Sequence, residues 1–148
     1  MFKSKKRSIT IPQSEHARLA GYLAYHWGNT DVEPPSLDRV AFASGVTNHD
    51  RGYGHLDTIA IGEADNVIWL ATQRRGIQMR SSDLVADTVA LMHIQRLLSH
   101  AEGENARSLA RLAEEYIARN IGQTSYTRQE FEQADTITAL CDDIAFKF

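Results

Sequence analysis

The sequence predicts an all-α fold, a single domain built as a bundle of about six helices. Three observations lead there. All three prolines come early (Pro12, Pro34 and Pro35), so everything from Ser36 onward lacks the residue that breaks helices. Apolar residues recur at spacings of three and four in segment after segment, the period of a helix with one buried face. Period-two alternation, the mark of a half-buried strand, is nearly absent. With 148 residues, 43% of them hydrophobic and 24% charged, the chain is long enough to bury a core and has the balance of a globular domain.

The first helix is expected over about Gln13 to Trp27. Pro12 precedes it, Ser14 can cap its first turn, and Gly28-Asn29 supplies a stop. Its apolar stripe is Leu19, Ala20, Leu23, Ala24 and Trp27, and His16 begins the same stripe. A second helix is expected from Ser36, carrying Leu37, Val40, Phe42, Ala43 and Val46 towards His49, with Gly52 and Gly54 breaking it. A short extended piece over 58–61 and a third helix from Ala64 to Met79 follow.

Ser82-Asp83 marks the start of a fourth helix, LVADTVALMHIQRLLSH, and AEGENARSLARLAEEYIARNIG reads as a fifth, ended by Gly122. The sixth opens on Thr127 with Glu130 three residues on, a capping box. Its apolar sector comprises Phe131, Ala134, Ile137, Leu140, Cys141, Ile144, Ala145 and Phe148. Residues 1–8 are expected to be a flexible N-terminus.

Charge and cysteine usage narrow the function classes. A net charge of −3 and a pI near 6.0 give no electrostatic case for nucleic acid or an anionic membrane as partner. The basic start MFKSKKRS lacks the apolar stretch of a signal peptide, and no run approaches the roughly 18 apolar residues of a membrane span. A single cysteine, Cys141, rules out an intrachain disulfide and a thiolate zinc cluster. A cytoplasmic domain is expected, with a homo-oligomer allowed.

The chemistry concentrates in VTNHDRGYGHLD, Val46 to Asp57, which holds two imidazoles, two carboxylates and two glycines. Neutral imidazole and carboxylate together suit a divalent Mn, Fe, Co, Ni or Zn ion. Neighbouring helical residues point about 100° apart, so His49 and Asp50 can grip one ion only where the helix loosens, as the glycines would allow. Further ligands must come from other helices. His16 and His93 lie on apolar faces, where a histidine is more often a hydrogen-bonded core residue than a ligand. Asp142 lies at the edge of the sixth helix's buried sector and Asp143 nearly opposite it. Asp142 can reach a central site or remain a solvated edge carboxylate. His26 and His100 look like rim residues, and Trp27 and Trp69 like core.

The ordered set His16, His49-Asp50 and Asp142 resembles the H…HD…D signature of the HD superfamily of metal-dependent phosphohydrolases. The contexts SEHARLAGYLA, RVAFASGVTNHDRGY and ALCDDI fit it, and the register of Cys141-Asp142-Asp143-Ile144 selects Asp142. The chain also resembles an uncharacterised bacterial family with an HD-like core, through His16–Asn29, His49–Asp57 and Val89–His93, with Tyr53 where that family has tryptophan.

The resemblance implies a helical fold around one divalent ion (Mg joins the candidates) held by His16, His49, Asp50 and Asp142. It implies a phosphohydrolase acting by metal-activated water on a nucleotide or other small phosphate ester, with Asp50, Asp57 and His93 in the catalytic group. Asp57 would be a general base or an anchor, and equally a loop carboxylate capping a turn. His93 would be an acid, an outer hydrogen-bonding group, or a ligand in a dinuclear version. Arg51, or equally Arg74, Arg75 or Arg80, would contact phosphate. Two alternatives stand beside this: a non-catalytic HD-like module binding a metal or small ligand, and a helical bundle without metal.

Overall fold

A computed structural model describes residues 2–3, 8–57, 59–60 and 63–147. Among the described residues the chain is all-helical apart from one small antiparallel pairing of β1 (Phe2–Lys3) with β2 (Thr10–Ile11). The helices are α1 (Gln13–Tyr25), α2 (Arg39–Thr47), a 3-10 turn (Arg51–Leu56), α3 (Asn66–Gln78), α4 (Leu84–Ser99), α5 (Glu104–Ile121) and α6 (Arg128–Lys147).

Aspartates cap three of these helices, α2, α3 and α4. The carboxylates of Asp38, Asp65 and Asp83 accept from the backbone N–H groups of Ala41, Ile68 and both Val85 and Ala86, respectively. Each satisfies donors that the first helical turn leaves open, worth about 1 kcal/mol. At α6, Thr127 and Glu130 form the reciprocal box: Thr127 N–H donates to the Glu130 carboxylate and Glu130 N–H to the Thr127 hydroxyl.

These caps correct several expected boundaries. The second helix begins at Arg39 rather than Ser36, because Asp38 supplies the cap after the two prolines. The third begins at Asn66 behind Asp65 rather than at Ala64, and ends at Gln78. The first ends at Tyr25, before Gly28 turns the chain at φ 104°, a conformation that favours glycine. Ser14 does not cap it. Of the extended piece expected over 58–61, Thr58 and Ile61 lie outside the described residues, and Ile59 and Ala60 form no strand.

α4 is the central helix. Every residue from Ala86 to Ile94 is buried, with α2, α3, α5 and α6 packed around it. The buried face of α1 runs through Gln13, His16, Ala17, Ala20, Gly21 and Ala24, displaced from the expected stripe so that Leu19 is exposed. On α6, Phe131, Ala134, Ile137, Cys141 and Ala145 are buried while Leu140 is exposed; Phe148 lies outside the described residues. Trp27 and Trp69 pack against the core half-buried.

Two glycines decide where the end of α2 lies. A Cβ on Gly45 would come within 2.6 Å of Val89 Cβ and 2.7 Å of the Ala86 carbonyl oxygen, so α2 and α4 approach backbone to backbone. A Cβ on Gly52 would stand 2.3 Å from the Thr72 carbonyl oxygen, pressing the 3-10 turn onto α3. Gly52 therefore serves close packing rather than loosening a helix, and Gly54 faces open space. The Asn48-His49-Asp50 turn is wedged between α1 and α4 as a result.

Candidate metal centre

The α2 helix stops at Thr47, and the backbone turns through Asn48, His49 and Asp50 before the 3-10 turn begins. That break lets two consecutive side chains face one spot. Four helical segments then converge: His16 from α1, His49-Asp50 from the turn, His93 from α4 and Asp142 from α6. His16 Nε2 lies 2.8 Å from Asp142 Oδ1. His49 Nε2 lies 3.2 Å from Asp50 Oδ2 and 3.4 Å from Asp142 Oδ1. His93 Nε2 lies 3.6 Å from Asp50 Oδ1. The His16 and His49 rings are 5.5 Å apart edge-on, and those of His49 and His93 4.5 Å. By distance alone, His16, His49 and Asp142 form one set able to hold a metal ion, and His49, Asp50 and His93 another.

Hydrogen bonds separate the roles of His49 and His93. The Nδ1–H of His49 donates to the Val46 carbonyl oxygen at 2.6 Å, which leaves Nε2 facing the two carboxylates with no hydrogen-bond partner. A neutral imidazole there would present a lone pair to acceptor oxygens, so the position takes either a proton on Nε2 or a metal cation. His93 is the reverse. Its Nδ1 accepts from Arg96 Nη2 at 3.1 Å, so a neutral ring carries its proton on Nε2, which stands 3.6 Å from Asp50 Oδ1 and has no hydrogen-bond partner. Arg96 is itself held by Asp135, 3.1 Å from Nε. The tautomer set by Arg96 turns an N–H rather than a lone pair towards Asp50, while distance alone places His93 with His49 and Asp50 in a set able to hold a metal ion.

The electrostatics follow. Burial pulls the His49 pKa down, but the negative charges of Asp50 and Asp142 beside it outweigh burial and raise the value to about 10 when no metal is bound. Burial likewise opposes ionisation of Asp142, yet His16 and His49 hold its carboxyl below the usual range. Asp50 goes the same way, its desolvation outweighed by His49 and His93. Burial and the neighbouring His49 push His93 down, which keeps it neutral beside Arg96.

A cleft of about 330 Å³ opens onto Asp50, lined among others by Gln13, Asn48, Arg51, Tyr53 and Asp57. Gln13 is buried; its side-chain amide donates to Asp50 Oδ2 at 2.5 Å. Burial, then the charge of Asp50, raises the Tyr53 pKa to about 12, so its hydroxyl keeps its proton and accepts from Gln73 at 3.2 Å.

Residues 1–66 match the model of a family described as a protein of unknown function (DUF3891). The match covers His16, His49, Asp50 and Asp57 and stops where α3 begins, before His93 and Asp142. No curated protein and no solved structure matches the chain.

Two of the expected residues are tied into the fold by hydrogen bonds. Asp57 caps α1 from 44 positions away: its carboxylate accepts from the backbone N–H of Gln13 and from both the N–H and hydroxyl of Ser14, at 3.4 and 3.3 Å. Those bonds engage both carboxylate oxygens and tie the end of the 3-10 turn to the start of α1. Arg51 is drawn inward: its Nε donates to the Gly76 carbonyl oxygen at 2.7 Å and its Nη1 to Asp87 at 2.8 Å. Asp143, by contrast with Asp142, faces out and pairs with Lys147; His26 and His100 are exposed.

The sequence reading missed Gln13, Asp87, Arg96 and Asp135. Three of them had a signal. Gln13 stands three residues before His16, Arg96 three after His93 and Asp135 seven before Asp142, each one or two turns along the same helical face. Asp87, buried on α4, had none.

Proposed function

We propose that this chain holds one divalent cation between His16, His49, Asp50 and Asp142 and hydrolyses a phosphate ester of a nucleotide or other small molecule there. One observation carries the reading: His49 is fixed by Val46 with its buried, unpartnered Nε2 turned to two carboxylates. The donor set is one imidazole and carboxylate chemistry suits, and its order along the chain resembles the HD superfamily signature. A cation held there would acidify a water and neutralise charge on a phosphoryl oxygen. The chain's own residues do the rest. Gln13 donates to the Asp50 carboxylate, and the Nε2–H of His93 faces that carboxylate from 3.6 Å. Arg96, steadied by Asp135, keeps His93 in the tautomer that turns this N–H towards Asp50. Tyr53 brings a hydroxyl, protonated at neutral pH, to the cleft.

One observation favours a second reading, a binding module without turnover. Of the two carboxylates lining the cleft, Asp50 belongs to the cation set and Asp57 is spent capping α1. Phosphate release from a panel of mono- and diesters, with Mn, Co, Mg, Ni or Zn added to untagged protein, decides between them. Hydrolysis lost in Asp50→Ala with helical content kept supports the first reading. Stoichiometric metal by elemental analysis with no turnover supports the second, and no metal at all defeats both.

A further inference from the structure

On the far side of Arg51 from the cation cleft lies a second pocket, of about 230 Å³, lined by Asn48, Arg51, Met79, Arg80, Ser81 and Ala86. No carboxylate lines it, and Asn48, Arg51 and Met79 form the wall it shares with the cleft at Asp50. Behind that wall is a buried charge cluster. Asp87, wholly buried, accepts from Arg51 Nη1 at 2.8 Å, Arg80 Nε at 2.7 Å, the Ser81 N–H at 3.1 Å and Asn120 Nδ2 at 2.9 Å. Two guanidiniums against one carboxylate leave one positive charge without a counterion in that cluster. The Arg51 side chain is 7% exposed, and its Nη2 is buried with no hydrogen-bond partner. Such an orphaned, charged donor costs free energy that a bound anion would return. Ala86 belongs to the first turn of α4, whose Val85 and Ala86 N–H groups are already taken by the Asp83 carboxylate.

We infer that Arg51 and Arg80, with Asn48 and Ser81, form an oxyanion subsite that receives a second phosphoryl group of the ligand occupying the cation cleft. The subsite stands on its own geometry; its service to a substrate rests on the phosphohydrolase reading. It narrows the substrate class to small molecules bearing two anionic groups, one directed to Asp50's side of the wall and one to Arg51 and Arg80. It also gives the arginines a joint role: Asp87 holds both guanidiniums in place where they line the pocket, Arg80 being tied as well to Asn120.

The probe is inorganic phosphate, titrated into the full-length protein while the side-chain Nε–H resonances of Arg51 and Arg80 are followed by NMR, at constant ionic strength in chloride. Saturable shifts of both resonances at millimolar phosphate, unchanged when a chelator is present, are expected. Ser81→Glu places a negative charge at the pocket without touching Asp87, and should weaken the response at least fivefold while circular dichroism stays that of the wild type; Arg80→Gln should do the same. Linear, non-saturating shifts, or a response that Ser81→Glu leaves intact, overturn the subsite. A response that vanishes with the chelator also overturns it, because phosphate would then be riding on the cation. Metal affinity measured separately by calorimetry tells a failure here from a failure of the cation reading.

Discussion

A single hydrogen bond, from His49 Nδ1–H to the Val46 carbonyl, gives the centre its polarity. It commits the other nitrogen to whatever stands between Asp50 and Asp142. Without metal that is a proton, and with the His49 pKa raised to about 10 it stays on at neutral pH. Cation binding at pH 7 should therefore release close to one proton per ion, readable as a buffer-dependent enthalpy in calorimetry. Apparent affinity should rise with pH and level off near pH 10. The stability consequence has a definite sign. Because the folded value lies above the unfolded 6.5, the contribution of His49 to metal-free protein is complete below about pH 6.5 and lost as pH rises through 10. Thermal midpoints of chelated protein should fall over that window. Asp142→Asn should cost at least about 100-fold in cation affinity, and Arg96→Met, which frees the tautomer of His93, about tenfold in turnover with smaller loss of binding.

Elements are held together here by close approach and by remote caps. Gly52→Ala would drive a methyl into the Thr72 carbonyl oxygen; the 3-10 turn must move off α3, at about 1–3 kcal/mol, and Asp50 moves with it. Denaturant midpoint and cation affinity should drop together. Asp57 distinguishes anchor from base by its amide variant. Asp57→Ala should lose about 1 kcal/mol of stability through the uncapped α1, whereas Asp57→Asn, which keeps one of the two accepting oxygens, should lose less. If Asp57 is the anchor described, Asp57→Asn keeps most activity; a general base would not survive the change.

At the scale of the molecule, Asp87 joins the arginine after the His-Asp pair, the loop before α4 and the end of α5. Removing it leaves two guanidiniums facing each other around a buried cavity. Asp87→Ala should cost about 3–5 kcal/mol, seen as a lower midpoint in urea, far more than any surface carboxylate. α-Helical periodicity, glycine stops and the Thr127/Glu130 box were all legible before any coordinates, because each is a local property of a few consecutive residues. Boundaries at Ser36 and Ala64 misread the caps only because Asp38 and Asp65 offer better acceptors slightly later. Leu19 and Leu140 were assigned inward because apolar spacing does not say which neighbour a helix will meet, and Gly21 and Gly45 brought the helices together on other faces.

The sequence alone determined an all-helical chain and proposed His16, His49, Asp50 and Asp142 as one set, since residue type, order and helical face are written in it. Only the tertiary structure decided that those side chains stand within a few ångströms of one another, that Asp57 caps a helix, and that Arg51 is tied to Asp87. Hydrogen bonds choose partners across 30 to 130 positions of chain, and a partner's reach is fixed by how backbones pack, which no local pattern encodes.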